Sequence, residues 1–201
     1  MPYSNFSFER VKEDLKLNIK NARGLFDSIN EYELLQDFVS RLLEDNVRLA
    51  LAINTEKAKS ELIIAPVLME VWKIEQERIS LFSGVEFNVD EQQDLKGTCD
   101  FIISLSQEQF FIDSPIITIV EAKRDNINDG IPQCIAEMRA AQIFNERKKN
   151  SLKTVYGAVT TGSVWKFLKI SDKTVTIDLD EYHIKEVKKI VGILLSMCEG
   201  V

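Results

Sequence analysis

The sequence is poor in residues on which several common kinds of catalysis depend. It holds one histidine, His183, and three widely spaced cysteines at positions 99, 134 and 198. Ser-His-Asp hydrolysis, histidine-based nucleases and multi-histidine metal sites need histidine at the reacting centre. Cysteines in this number and spacing indicate neither a disulfide framework nor a zinc site, so we expect them to be buried apolar residues. Any catalysis must therefore come from carboxylates, lysines and hydroxyls.

Long apolar runs and an excess of positive charge are also missing. No run reaches the roughly 20 residues that a membrane helix needs, and the first five residues do not resemble the start of a secretory signal. We therefore expect a cytoplasmic protein with no membrane partner. The net charge is −7, from 25 basic and 32 acidic residues. This argues mildly against a nucleic-acid partner, although a bound divalent metal or a local basic face can offset it.

The 201 residues suit one domain with helices and strands in a defined order. A shorter helix and a loop around Gly24 are expected in the first 25 residues. Apolar spacing then predicts helices over 31–53 and 56–79, and Pro66 should kink or divide the second. Later helices are predicted over 131–148 and 183–198. The strands are predicted over 84–89, 98–105, 115–122, 153–160, 163–170 and 173–179. This order predicts an α/β fold, a mixed β-sheet flanked by helices.

Two of the predicted strands carry acids at one end. Strands 98–105 and 115–122 are expected to be antiparallel neighbours, and a loop centred near residue 110 sets Asp100 across from Glu121. Side chains alternate along a strand, so Glu121 and Lys123 share a face. Two carboxylates with open positions suit Mg²⁺. The alternative is an ion pair between Glu121 and Lys123 at the strand end, with Asp100 as a polar residue near a turn.

The residues around these acids resemble a nuclease motif. Segments Gly97–Ile103 and Ile119–Lys123 are similar to the Asp…Glu-x-Lys core of the PD-(D/E)xK nuclease superfamily, which includes restriction endonucleases, Holliday-junction resolvases and the nuclease domains of type I restriction subunits. Cys99 stands where many members have proline. The resemblance covers residues 55–170, and Thr160–Phe167 resembles the late hairpin of the type I subunits.

The resemblance implies a fold and an activity. It implies a restriction-endonuclease-like core over residues 55–201, with residues 1–54 as an N-terminal helical extension packed on it. The activity is then Mg²⁺-dependent hydrolysis of phosphodiester bonds in DNA, with Mn²⁺ able to substitute, and a homodimer is expected where both strands are cut. The acidic net charge and the lack of a separate DNA-reading motif leave open a second hypothesis, a non-catalytic nuclease-fold protein that acts as a binding or assembly module.

The resemblance also implies roles for individual residues. Asp100 and Glu121 correspond to the metal ligands of the family, and Lys123 corresponds to its catalytic lysine. Gln133, in the first turn of the next helix, corresponds to a glutamine that faces the metal and the substrate. An acid from the preceding helix usually completes the metal site. Glu70 is our choice for it, and the alternatives are Glu56 and Glu61.

Overall fold

A computed structural model describes residues 2–33 and 37–199. In it, these residues form one mixed β-sheet with helices on both faces. The predicted α/β class is therefore confirmed. The strand order is β1-β7-β6-β5-β4-β3-β2, and the short β8 pairs with β6. The strands are Asn18–Ala22 (β1), Ser80–Glu86 (β2), Thr98–Ser104 (β3), Ile116–Ala122 (β4), Thr154–Thr160 (β5), Val164–Ser171 (β6), Thr174–Asp178 (β7) and Tyr182–His183 (β8).

Helices cover the sheet on both sides. One layer is formed by α1 and α5, and the other by α4 and α6, while α2 packs against the segment that leads into α4. No helix within the described ranges is long and apolar enough to cross a membrane. The helices are Phe8–Glu13 (α1), Asp37–Ile53 (α2), Glu56–Lys59 (α3), Ala65–Glu75 (α4), Ile127–Arg147 (α5) and Val187–Glu199 (α6).

The central strands have the character that their sequences predict. Every residue of β4 is buried, because α5 covers one of its faces and α6 the other. It runs antiparallel to β3 and parallel to β5. The hydrophobic core is split into two layers by the sheet: Ile102 and Ile119 lie in the layer of α5, and Phe101 and Val120 lie in the layer of α6. All three cysteines are buried and free, as expected.

The N-terminal residues hold a strand that the sequence pattern does not predict. Residues 1–25 contain the expected short helix, α1, and Gly24 has a positive φ of 65°. Between them, β1 pairs in parallel with β7 at one edge of the sheet. An edge strand needs little apolar surface, and β1 is half exposed, with Ile19 and Ala22 as its apolar residues. Residues 1–54 therefore contribute to the sheet as well as forming helices.

The helix predicted over 56–79 is divided, as Pro66 suggested. A π-helical turn, Ser60–Ile64, separates α3 from α4, and Pro66 lies in the first turn of α4, where its missing N–H has least effect. The predicted helix 31–53 is observed from Asp37, and residues 34–36 lie outside the described part of the chain. Helix α5 begins at Ile127, four residues before the predicted start, because the Asn126 side chain caps it.

Candidate active site

Asp100 and Glu121 meet at one end of the two central strands. Phe101 pairs with Val120 in the antiparallel register, and continuing that register by one residue sets Asp100 opposite Glu121. The N–H of Ala122 donates to Oδ2 of Asp100 at 2.8 Å, which fixes that carboxylate against β4. The predicted pairing of the two acids is therefore present in the fold.

Lys123 joins this pair from the residue after β4. Its backbone N–H donates to the carbonyl of Thr160 at 2.8 Å, which continues the parallel pairing with β5. Its Nζ donates to Oε1 of Glu121 at 2.6 Å and to Oε1 of Gln133 at 3.0 Å. Gln133 reaches the site from α5, as the resemblance implied. Asp100, Glu121, Lys123 and Gln133 thus form one cluster on the α5 face of the sheet.

The carboxylates are held in an environment that disfavours their charge. Burial raises the pKa of Glu121 to about 8, and the neighbouring Asp100 adds to the rise. Burial also raises the pKa of Asp100, and the hydrogen bond from Ala122 offsets part of this. For Lys123, burial lowers the pKa, but the charge and hydrogen bond of Glu121 outweigh it and the pKa is raised. The cluster therefore carries more acid than its one ammonium can balance, and it favours a proton or a cation.

Glu56, rather than Glu70, is the helix acid that faces this cluster. Its charge contributes to raising the pKa values of both Asp100 and Glu121. Glu70 is buried in α4, fourteen residues further along, which is about 21 Å of helix. The helical segment runs away from the site toward Ser80, which pairs with Ser104 at the opposite end of β3. The structure thus does not bring Glu70 to the site.

The other alternative, Glu61, is solvent-exposed and pairs with Lys57 at 3.2 Å. Glu56 also lines a cleft at the mouth of the cluster, and the buried Lys59 of the same short helix donates its Nζ to the carbonyl of Arg124 at 2.5 Å. This bond ties α3 to the loop that follows Lys123 and keeps Glu56 near it. The cleft is lined by Glu56, Lys123, Arg124, Asp125, Asn126 and Asp129.

Glu137 is a member of the cluster that our sequence interpretation missed. It lies one helical turn after Gln133 and is fully buried. Gln133 donates its Nε2 to Oε1 of Glu137 at 3.1 Å. Burial holds the pKa of Glu137 well above its ordinary value, and the charge of Glu121 adds to the rise. An acid on the buried stripe of α5, between the apolar Cys134 and Met138, is the sequence signal that could have identified it.

The site depends on a close approach of α5 to the sheet at Gly130. A Cβ added to Gly130 would lie 2.6 Å from Cγ1 of Val159 and 2.9 Å from Cγ of Lys123. Those separations are shorter than carbon atoms tolerate. The absence of a side chain at this position therefore lets the first turn of α5 pack against the stem of Lys123.

We expect Gly130→Ala to lower the free energy of unfolding by about 1–3 kcal/mol, because overpacking costs about that much. The direction of the change is informative, because alanine without a steric clash would instead stabilise a helix by about 1 kcal/mol relative to glycine. Urea denaturation measures the change. The exposed Asn128→Ala in the same helix is the control, and we expect it to leave stability nearly unchanged. A stabilised Gly130→Ala protein would show that α5 does not press on Lys123.

The cluster has features that suit a hard divalent cation, although it is not a complete cage. Among the side chains that the structure describes, no group of three or more from His, Cys, Asp or Glu is arranged to hold a metal by itself. Mg²⁺ commonly takes only one or two carboxylates and keeps several waters. Oε2 of Glu121 is buried and has no hydrogen-bond partner among the described residues. That oxygen and the Asp100 carboxylate are a donor set of the right chemistry.

No family model matches this chain, and no curated protein matches it.

Proposed function

We propose that the chain is a Mg²⁺-dependent nuclease of the restriction-endonuclease-like, PD-(D/E)xK kind that hydrolyses phosphodiester bonds of DNA, with Mn²⁺ able to substitute. One observation carries this proposal. Asp100 and Glu121 converge at the end of two buried strands, and Lys123 lies against Glu121. Burial and mutual repulsion disfavour two ionised carboxylates in this position, and a bound divalent cation offsets both effects. The resemblance of both motif segments to that superfamily supports the same activity.

In this proposal, Asp100 and Glu121 hold the metal, and Glu56 takes the place first given to Glu70. The bound cation supplies Lewis-acid activation of the phosphodiester and lowers the pKa of the attacking water. The protein's own contribution is to keep the two carboxylates close and to fix them. Asp100 is fixed by the Ala122 N–H and Glu121 by Lys123.

Lys123 is the proposed donor to the reacting groups. An ammonium has three hydrogens, and Glu121 and Gln133 accept two of them. The third is available to hold the attacking water or to stabilise the charge that develops on the phosphate oxygens. Gln133 fixes the direction of the ammonium, so that the remaining hydrogen points away from both acceptors. We assign Gln133 to this orienting role within the catalytic cluster.

DNA and a second copy of the chain are the proposed partners. A single domain of this kind carries one cluster, so cutting both strands of a duplex calls for two copies. Two basic side chains line the cleft beside the carboxylates, those of Lys123 and Arg124. Phosphates are recognised by such cations, and a divalent metal adds to their charge.

Asp100→Asn is the variant that tests the proposal. We expect the wild-type chain to cleave some member of a panel of single-stranded, duplex and branched nucleic acids with Mg²⁺ or Mn²⁺ and not with EDTA. The variant should lose this activity yet stay folded, because the asparagine oxygen can still accept from Ala122. Asp113→Asn, at the other end of β3, is the matched control. A wild-type chain that cleaves nothing on the panel, or an active Asp100→Asn protein, contradicts the proposal.

The cleft also gives a reason for the second candidate, a non-catalytic nuclease-fold protein that acts as a binding or assembly module. Glu56, Asp125 and Asp129 line its mouth, and an acidic rim repels nucleic-acid phosphates. Calorimetric titration with Mg²⁺ separates the two candidates. The nuclease proposal expects binding that Asp100→Asn removes, whereas a module expects no binding that depends on Asp100.

A further inference from the structure

The buried polar residues of α5 fall into two kinds. Asn145 is the first kind: it accepts from the N–H of Ile116 and donates to the carbonyl of the same residue, both at 2.8 Å, so its oxygen and its nitrogen both help to hold β4. Glu137 is the second kind. It is equally buried, but its Oε2 has no hydrogen-bond partner among the described residues, and its Oε1 has a single partner, Gln133.

Glu137 is therefore costly where it lies. A buried carboxyl with one unsatisfied oxygen carries a desolvation penalty, which an apolar side chain of similar volume would not. Cys134 and Met138, which lie beside it on α5, belong to the hydrophobic core. Packing alone gives no reason for an acid at this position, whereas its one hydrogen bond leads directly to the proposed active site.

The chemistry of the amide explains what that bond does. The Lys123 ammonium only donates, so the Gln133 group that faces it must be the carbonyl oxygen. The amide NH₂ then points the opposite way and needs an acceptor, which Oε1 of Glu137 supplies at 3.1 Å. With no acceptor there, the NH₂ end of the amide loses its anchor, and the side chain of Gln133 is free to swing away from the ammonium. Lys123 at one end and Glu137 at the other thus hold the amide in a single orientation.

We propose that Glu137 is a positioning residue that fixes the Gln133 amide and, through it, the direction of the Lys123 ammonium over Glu121. Glu137 touches neither substrate nor metal in this assignment. Its contribution to catalysis rests on the proposed nuclease function, but its effect on Lys123 does not, since the chain of hydrogen bonds is present without any ligand.

The test compares Glu137→Gln with Glu137→Met by NMR of isotope-labelled lysine ammonium groups in the protein without metal. Glutamine keeps an acceptor for Gln133, and methionine keeps the volume but removes it. We expect the Lys123 ammonium signal to be retained in Glu137→Gln and to be lost or strongly shifted in Glu137→Met. Lys166, whose Nζ donates to the carbonyls of Asp178 and Leu179, is the internal reference and should not change.

A double-mutant cycle with Gln133→Met asks whether Glu137 acts through Gln133. We expect Gln133→Met alone to change the Lys123 signal as much as Glu137→Met does, and the double variant to show no larger change. An unchanged Lys123 signal in Glu137→Met, or a further effect in the double variant, overturns the proposal. If Glu137→Met does not fold, the other two variants decide. Loss of the Lys123 signal in Glu137→Gln overturns the proposal, and so does an unchanged Lys123 signal in Gln133→Met.

Activity supplies a separate readout. Where the wild-type chain cleaves a nucleic acid, we expect Glu137→Met to lower kcat about 10- to 100-fold, the usual effect of residues that orient a site from behind, with little change in KM. Glu137→Gln should restore most of kcat. A wild-type chain without cleavage counts against the nuclease proposal alone, because the NMR comparison still decides the role of Glu137.

Discussion

Lys123→Met is expected to reduce metal-dependent cleavage by at least about 10²-fold, comparable to the loss of one preorganised donor in other hydrolases. Methionine retains most of the apolar stem that packs beside Gly130, but it has no hydrogens for Glu121, Gln133 or a reacting phosphate. The fold should persist, because Glu121 can take up a proton when its cation is gone. Steady-state cleavage measures the loss, and thermal unfolding checks the fold.

Lys57→Met is the matched control for this experiment. Lys57 lies in α3 beside Glu56, but its side chain is 83% exposed and pairs with Glu61 on the surface. Surface ion pairs of this kind contribute little to stability, so we expect neither cleavage nor unfolding to change measurably. Cleavage by Lys123→Met at the wild-type rate would contradict a catalytic role and would leave the strand-end ion pair as the explanation of the motif.

The convergence of Asp100 and Glu121 could be predicted because it depends only on the register of two strands that follow one another in the sequence. Two apolar strands joined by a short loop have few possible registers, and the observed pairing of Phe101 with Val120 centres the hairpin midway between residues 110 and 111. The prediction places Gln133 in the first turn of a helix that starts near Pro132. The helix instead starts at Ile127 behind its Asn126 cap, and Pro132 lies inside it, so Gln133 falls in the second turn. These features are encoded within about 35 residues of continuous sequence.

Glu70 lies away from the site. Choosing the correct acid required knowing in which direction the helix crosses the sheet. The observed strand pairing gives that direction. The helical segment from Glu56 leads into β2, whose first residue pairs with the last residue of β3. Its N-terminal end, and so Glu56, therefore has to lie near Asp100. The edge strand β1 could not be predicted in this way, since it is defined by its pairing with β7 rather than by its own pattern. Glu137 was marked only by its place on the buried stripe of α5.

Glu121→Gln should make the protein more stable in the absence of metal and unable to bind Mg²⁺. Glutamine mimics the protonated acid, so it avoids the burial and the repulsion from Asp100 that raise the pKa of Glu121 to about 8. We expect the free energy of unfolding at pH 8 to rise by roughly 1–3 kcal/mol after the weakened Lys123 bond is allowed for. Urea denaturation at that pH measures it.

The same substitution should change how stability depends on pH. With its pKa raised from 4.5 to about 8 on folding, Glu121 binds more proton in the native state than in the unfolded state between these values. The free energy of unfolding of the wild-type chain should therefore fall as pH rises through this window. Glu121→Gln removes that contribution, so we expect a flatter profile, and the two curves should converge near pH 4.5.

Glu75→Gln is the matched control, since Glu75 is also a buried acid but pairs with Arg78 at 2.9 Å at the end of α4, away from the site. Replacing it removes a favourable charge pair and should not stabilise the protein. For wild type and Glu75→Gln alike, Mg²⁺ should raise the unfolding temperature, by an amount that grows with the logarithm of its concentration above the dissociation constant. For Glu121→Gln it should have no effect.

These outcomes separate a functional site from a structural ion pair. Replacing one member of a buried ion pair that stabilises the fold lowers the free energy of unfolding by several kcal/mol. Replacing a residue that is retained for function often raises the stability and lowers the activity. A destabilised Glu121→Gln protein that binds no less Mg²⁺ than wild type would show that Glu121 and Lys123 are a structural pair. A stabilised one that no longer responds to Mg²⁺ would show that the buried acids are retained for the cation.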